Sequence, residues 1–249
     1  MVDKMHLIAR AIVIQGHAAS EQGYENLCAS NNMFDNRFTV EKFNAITPTN
    51  VEAEMVKLKI RWNYPWEGVK QDLATGLKKS AYPTKNPLAR VACAVSHYKL
   101  WQACFRLNKP ILIMEHDAIF IKRLNPYYDI LDDKRYDIIG LNWPIGNTRR
   151  AQAFLDKRNA STRALAKKAR IDTDIVPVPT IDNFDVPQGL AGNSAYIIKP
   201  NGAKNLLAAV QQYGLWPNDA IMCKQLIPRM GVTNGDFTNT QGTASTTSQ

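Results

Sequence analysis

The chain has 249 residues, 31 basic and 22 acidic, for a formal charge of +9 at pH 7. That length suits a single α/β domain spanning 1–249, and no internal repeat or low-complexity linker divides it. No apolar run approaches the roughly 18 to 20 residues that span a bilayer, and Leu7 to Ile14 carries Arg10 at its middle without a small-residue cleavage site, so it reads as a first strand rather than a secretory signal. Cys28, Cys93, Cys104 and Cys223 lie far apart with no CxxC spacing, which argues against a zinc site and fits reduced thiols in a cytoplasm.

In chain order, the patterning predicts a strand over 7–14, a helix around 20–29, a short strand near 37–40 and a helix near 51–58. Arg61 to Gly68 holds Trp62, Tyr64 and Trp66 beside Pro65, a loop whose rings either plug the core or stack on a ligand. Pro87 suits the first turn of a helix that runs to Leu107, with Leu88, Val91, Val95, Tyr98, Trp101 and Phe105 at helical spacing.

Ile111 to Phe120 then reads as a buried strand interrupted by Glu115 and Asp117. Carboxylates in such a strand cost several kcal/mol unless paired or bound to a metal, so the strand ends at the acids. Side chains alternate along a strand, so Glu115 and Asp117 share one side and His116 takes the other. At the carboxyl end of a strand in an open α/β sheet, where ligands bind, two carboxylates suit a hard divalent cation. The alternative is two solvated acids in a turn.

Asp137 to Asn142 reads as the neighbouring strand, followed by a basic helical segment over 149–170. That segment holds eight cations and one acid, a surplus of +7 that leaves only +2 for the rest of the chain. It is either a footprint for an anionic partner or a solvated helix face. A crossing rich in proline (Pro177, Pro179, Pro187), a strand over 193–198, a helix from Pro200 to about Gly214 and a last helix from Trp216 complete the pattern. Strands alternating with helices predict a mostly parallel sheet flanked by helices. Neither a GxGxxG fingerprint nor a Walker loop is present, which lowers the case for a dehydrogenase or kinase.

Several segments, in order from Leu88 onward, resemble glycosyltransferase family 25, the group of lipooligosaccharide and collagen galactosyltransferases with phage-encoded members. Ala89 to Trp101, with Cys93, Ser96, His97 and Trp101, is similar to the family's cysteine, serine-histidine and tryptophan helix. Ile111 to Phe120 resembles its Glu-Asp-Asp strand, Gly192 to Leu207 its strand and Gly-Ala-x-x-Leu-Leu helix, and Pro217-Asn218-Asp219 its acidic pair after proline.

The resemblance implies the A-type nucleotide-sugar glycosyltransferase fold (Rossmann-like), a UDP-sugar donor, Mn²⁺ or Mg²⁺, and inversion at the anomeric carbon. It implies a metal held by Asp117 and Glu115, donor contacts from Ser96, His97, His116 and Gly192, and Asp219 as the base that takes the acceptor proton. Three departures stand out: His116 replaces the middle acid, Asn218 replaces the first acid of the later pair, and Gln15-Gly16-His17 lacks the family's Asn-Leu and Arg-rich donor loop. For the acceptor, the basic segment and the phage-encoded relatives favour hydroxymethylated pyrimidine in DNA, bound by Arg149, Arg150, Arg163, Lys167 and Lys168, with Trp62 or Trp66 stacking on an extruded base. The alternatives are a lipooligosaccharide acceptor, or a noncatalytic nucleic-acid-binding protein on the same fold with His116 marking a lost metal.

Overall fold

The computed structural model describes residues 7–125, 127–148, 150–165 and 174–242. The first part of the chain forms β1 (Ile8–Val13), α1 (Ala18–Met33), β2 (Val40–Asn44), α2 (Val51–Leu58), the hairpin strands β3 (Val69–Gln71) and β4 (Lys78–Ser80), and α3 (Pro87–Leu107). The middle forms β5 (Ile111–Glu115), β6 (Ala118–Phe120), α4 (Tyr128–Asp132), β7 (Ile138–Gly140), α5 (Ala151–Leu165) and β8 (Ile175–Pro177). The last part forms β9 (Ala195–Ile198), α6 (Pro200–Tyr213), α7 (Asn218–Ile221), β10 (Met230–Thr233) and β11 (Thr238–Thr240).

The central sheet has seven strands in the order β2-β1-β5-β9-β7-β10-β8. Only β9 and β8 run against the other five. The fold class read from the sequence, a mostly parallel α/β sheet flanked by helices, is the one found. Its central strands are apolar, but for Glu115 at the end of β5, because both faces are covered. Ile111 and Ile113 of β5 pack with α3 and α6, while Leu112 and Met114 pack with α1 and α4. The same alternation sends Tyr196 and Ile198 of β9 toward α3, and Ala195 and Ile197 away from it.

Helix α3 begins and ends where the sequence places it. The Asn86 side chain caps it by accepting from Ala89 N–H at 3.1 Å, Pro87 opens it, and Asn108 stops it in a left-handed conformation at φ 50°. Its buried stripe is centred on Val91, Val95, Tyr98 and Trp101, whereas Leu88 and Phe105, which the spacing assigns to that stripe, are 40% and 48% exposed near its ends. The predicted strand over 111–120 is two strands. β5 stops at Glu115, the chain turns at His116 and Asp117, and β6 leaves the sheet to pair with β11. The short strand expected near 37–40 starts at Val40, and α1 begins two residues early, with His17 as its cap. All four cysteines are free thiols, and among the described residues no helix is long and apolar enough to cross a membrane.

The β3–β4 hairpin holds a buried ion pair between its own strand ends, and the lysine of that pair also fastens it to the body. Lys79 Nζ lies 2.5 Å from Asp72 Oδ2, donates to Asn63 O at 2.8 Å, and sits 4.6 Å from the Trp216 ring centroid. Lys79→Met should therefore cost about 3–5 kcal/mol, because it strands a buried carboxylate. Asp72→Asn/Lys79→Met should recover much of that loss in urea unfolding. Equal destabilisation of the single and double variants would contradict the pairing.

Candidate active site

Strand alternation puts Glu115 on the same side as Ile111 and Ile113, facing α3, at the carboxyl end of β5. Directly across, His97 of α3 places Nε2 3.2 Å from Glu115 Oε1, and its Nδ1 lies 2.8 Å from the Tyr196 hydroxyl. Trp101 Nε1 donates to that same hydroxyl at 2.8 Å. An indole N–H only donates, so the Tyr196 oxygen accepts from Trp101. The Glu115 carboxylate only accepts, so Nε2 carries the proton facing it, and an unprotonated Nδ1 accepts from the Tyr196 hydroxyl. One buried chain of donors thus fixes both the histidine tautomer and the position of the carboxylate.

Glu115 opens into a cleft of about 480 Å³, which Asp117, Asp219, Arg90, Asn193 and Tyr82 also line. Asp117 sits in the turn after β5, and its Oδ1 is buried without a hydrogen-bond partner. Burial, and then the charge of Glu115, push its carboxyl up to about 7. Asp219 lies in the first turn of α7, open to the cleft, with the Arg90 guanidinium and the Tyr82 hydroxyl beside its carboxylate. Arg90 also rests over the Tyr82 ring, 5.1 Å from its centroid. With its amide turned to satisfy both neighbours, Asn193 accepts from Asp219 N–H at 3.0 Å and donates to Gly192 O at 3.2 Å, tying α7 to the chain before β9.

Two carboxylates that repel each other, one with an orphaned buried oxygen, form a hard-oxygen donor set that fits Mn²⁺ or Mg²⁺. Cys93, His97 and Glu115 also bring ligand atoms within 4.8 Å of one another. Both His97 nitrogens are already committed, however, so Asp117 with Glu115 is the better cation site.

A smaller pocket of about 90 Å³ adjoins the cleft and shares Cys93, Glu115 and Asp117 with it. Its walls include Ile12, Ala45, Thr47 and Pro48 at the ends of β1 and β2, together with His116. Burial lowers the His116 imidazole below its ordinary range, with Glu115 opposing. Glu115 and Asp117 share the main cleft, while Glu115, His116 and Asp117 all line the smaller pocket, because the chain turns after Glu115 and strand alternation does not extend to Asp117.

The other predicted residues sort by position. Ser96 and His97 are fully buried, and Ser96 lines the smaller pocket. Ser96 Oγ accepts from Ile46 N–H at 2.9 Å and donates to Ala92 O at 2.8 Å, so it anchors the chain after β2. Gly192, at φ 77°, permits close approach of two loops, since a Cβ there would lie 2.9 Å from Asn147 Cβ. Trp62 and Trp66 stack on each other at 5.0 Å and do not reach the cleft wall, although Tyr64 links them to Tyr82. Arg150 pairs with Asp182, Lys157 donates to Thr180 O, and Arg158 forms a largely buried pair with Asp236. Arg163 is exposed on α5, which packs against the edge strand β8. Arg149, Lys167 and Lys168 lie outside the described residues.

Sequence reasoning missed Arg90. Its signal was a cation in the first turn of a helix, against the helix dipole, a place where a basic residue needs another reason to be.

The family model described as Glycosyltransferase family 25 (LPS biosynthesis protein) matches residues 26–222. No curated protein matches the sequence. Among solved structures, mouse xyloside xylosyltransferase 1 in its apo form aligns with 9% identity over 90% of this chain and 83% of its own, at a TM-score of 0.38.

The buried relay behind Glu115 carries a prediction. Tyr196→Phe removes the partner of both Trp101 Nε1 and His97 Nδ1, and each orphaned group costs about 1–3 kcal/mol. Chemical denaturation should show that loss, and an unchanged midpoint would contradict the network.

Proposed function

Because the chain belongs to glycosyltransferase family 25, we propose that its acid-lined cleft moves a sugar from a UDP-sugar to a hydroxyl of a glycan acceptor, with inversion. The observation that carries this reading is the meeting of Glu115, Asp117 and Asp219, far apart in sequence, in one cleft beside a smaller, partly apolar pocket suited to the nucleotide. In a single displacement, the acceptor oxygen bonds to the anomeric carbon as that carbon's bond to the diphosphate oxygen breaks. Asp219 takes the hydroxyl proton, and the bonding electrons leave with the diphosphate. Arg90 and Tyr82 hold the Asp219 carboxylate in place, and His97 holds Glu115. Asp117 and Glu115 would hold Mn²⁺ or Mg²⁺, which when bound offsets charge on the diphosphate.

Charge supports this acceptor. Three acids and one cation are the charged groups among the described residues lining the cleft. A divalent cation there would offset the donor diphosphate, and the lining offers no surplus of cations for further acceptor phosphates, which suits a neutral hydroxyl. A hydroxymethylated pyrimidine in DNA, the other acceptor raised by the sequence, draws on the basic segment. There, three of the four described cations, Arg150, Lys157 and Arg158, are engaged within the protein. Incubation with a panel of UDP-sugars and Mn²⁺, with either truncated lipooligosaccharide or hydroxymethylated DNA, should give a mass shift on the glycan. A shift on the nucleoside would move the acceptor to DNA, and no turnover with either would favour the noncatalytic reading.

Two substitutions test the roles. Asp117→Ala should abolish transfer with the fold intact, as should EDTA, and full activity under either condition would refute the metal assignment. Asp219→Asn should lower kcat by about 10² or more with donor affinity nearly unchanged. If turnover persists, the base lies elsewhere.

A further inference from the structure

The β3–β4 hairpin turns Leu77 inward but also buries a charged pair and leaves other apolar side chains exposed. Its inward side holds the Lys79 and Asp72 ion pair, while its outer surface presents Val69 at 66% exposure and its tip presents Leu73 at 94%. A solvated hairpin would reverse that arrangement. A distant loop extends the apolar surface: Lys78 N–H donates to Asp185 O at 2.6 Å and Lys78 Nζ lies 2.7 Å from Asp185 Oδ2, which brings Phe184, 75% exposed, alongside. Trp66, 42% exposed on its stack with Trp62, stands just before the hairpin.

Exposed cations lie in the same segment. The stretch from Arg61 to Lys85 holds five basic residues and two acids; Lys79 is buried against Asp72 and Lys78 pairs with Asp185. Arg61, Lys70 and Lys85 are exposed, as is Glu67.

We propose that this hairpin and the Phe184 loop form a docking face for the surface of an anionic lipid bilayer. Apolar tips that enter the boundary between headgroups and acyl chains, with exposed Lys70, Lys85 and Arg61 in the same segment, match such a surface on both counts. DNA would engage the cations but leave Leu73 and Phe184 in water. A second copy meeting this face about a twofold axis would bury the apolar groups but oppose like charges. The face lies beside the cleft: Tyr82 and Pro83, just after β4, line the cleft, and Gly189, just after the Phe184 loop, packs against the Asp219 backbone. Docking would therefore hold the cleft near the plane of the membrane, within reach of a lipid-anchored acceptor. This inference does not depend on the transfer reading, because docking needs neither donor nor acceptor.

Flotation of the full chain with vesicles tests it directly. The chain should bind phosphatidylglycerol/phosphatidylcholine vesicles more tightly than phosphatidylcholine alone, and less so as salt rises. Leu73→Glu/Phe184→Glu should weaken that binding about tenfold or more with an unchanged thermal unfolding midpoint. Lys70→Glu/Lys85→Glu should remove the preference for anionic vesicles. No binding to anionic vesicles, or wild-type binding by the Leu73/Phe184 variant, would overturn the proposal. So would finding that the same substitutions instead dissociate a dimer or release duplex DNA. Since vesicle binding is read without turnover, failure here and failure of the transfer reading are separate results.

Discussion

Like-charge crowding at the end of β5 is the constraint around which the site is arranged. Glu115, Asp117 and Asp219 face one cleft, and of the described residues lining it only Arg90 carries the opposite charge. Carboxylates that share a cleft repel one another. Each has a different environment: Glu115 receives a proton donor from His97, Asp219 has Arg90 and Tyr82 beside it, and Asp117 has an oxygen with no partner. The unbalanced member of a trio is where a cation would relieve the most repulsion. That ordering follows from the hydrogen bonds alone, and it is why Asp117 carries the metal assignment more heavily than Glu115.

The topology makes these meetings unavoidable. Because β9 is inserted antiparallel between β5 and β7, Ile113 pairs with Tyr196 and Glu115 N–H bonds to Ser194 O at 2.8 Å. Alternation then leaves Glu115 and Tyr196 on the α3 side, with His97 between them. The reversed strand also enters from the cleft, so Asn193 is in place to hold α7 and Asp219. A parallel β9 would carry that entrance to the opposite edge of the sheet. Catalytic geometry and sheet direction are one constraint here.

What the sequence reveals depends on whether the deciding interaction is local. The bounds of α2 and α3 were legible because spacing, proline and capping residues act within a turn or two. The end of β5 was legible because charge cannot continue a buried strand. The hairpin was not, since Lys78-Lys79-Ser80 has no strand pattern and its buried lysine depends on Asp72 and a distant tryptophan. β11, Thr-Asn-Thr, reads as a polar tail until β6 is there to pair with it. The basic segment shows the same limit: the acids that engage Arg150 and Arg158 are Asp182 and Asp236, 32 and 78 positions away. Counting charge along the chain misses partners supplied by the fold.

The distribution of charge, rather than its total, separates the two candidate acceptors. A net charge of +9 draws the whole protein toward polyanions at long range. At the cleft the balance reverses to three acids and one cation. A polyanionic acceptor would gain from the first field and lose to the second as its phosphates approached the reacting hydroxyl. A glycan fixed to an anionic surface escapes that conflict: the surface meets the cations outside the cleft, and an uncharged sugar hydroxyl enters it. On the proposed glycan reading, the chain's positive surplus and its acidic site would be two parts of one arrangement, with attraction acting on the support and chemistry on the sugar.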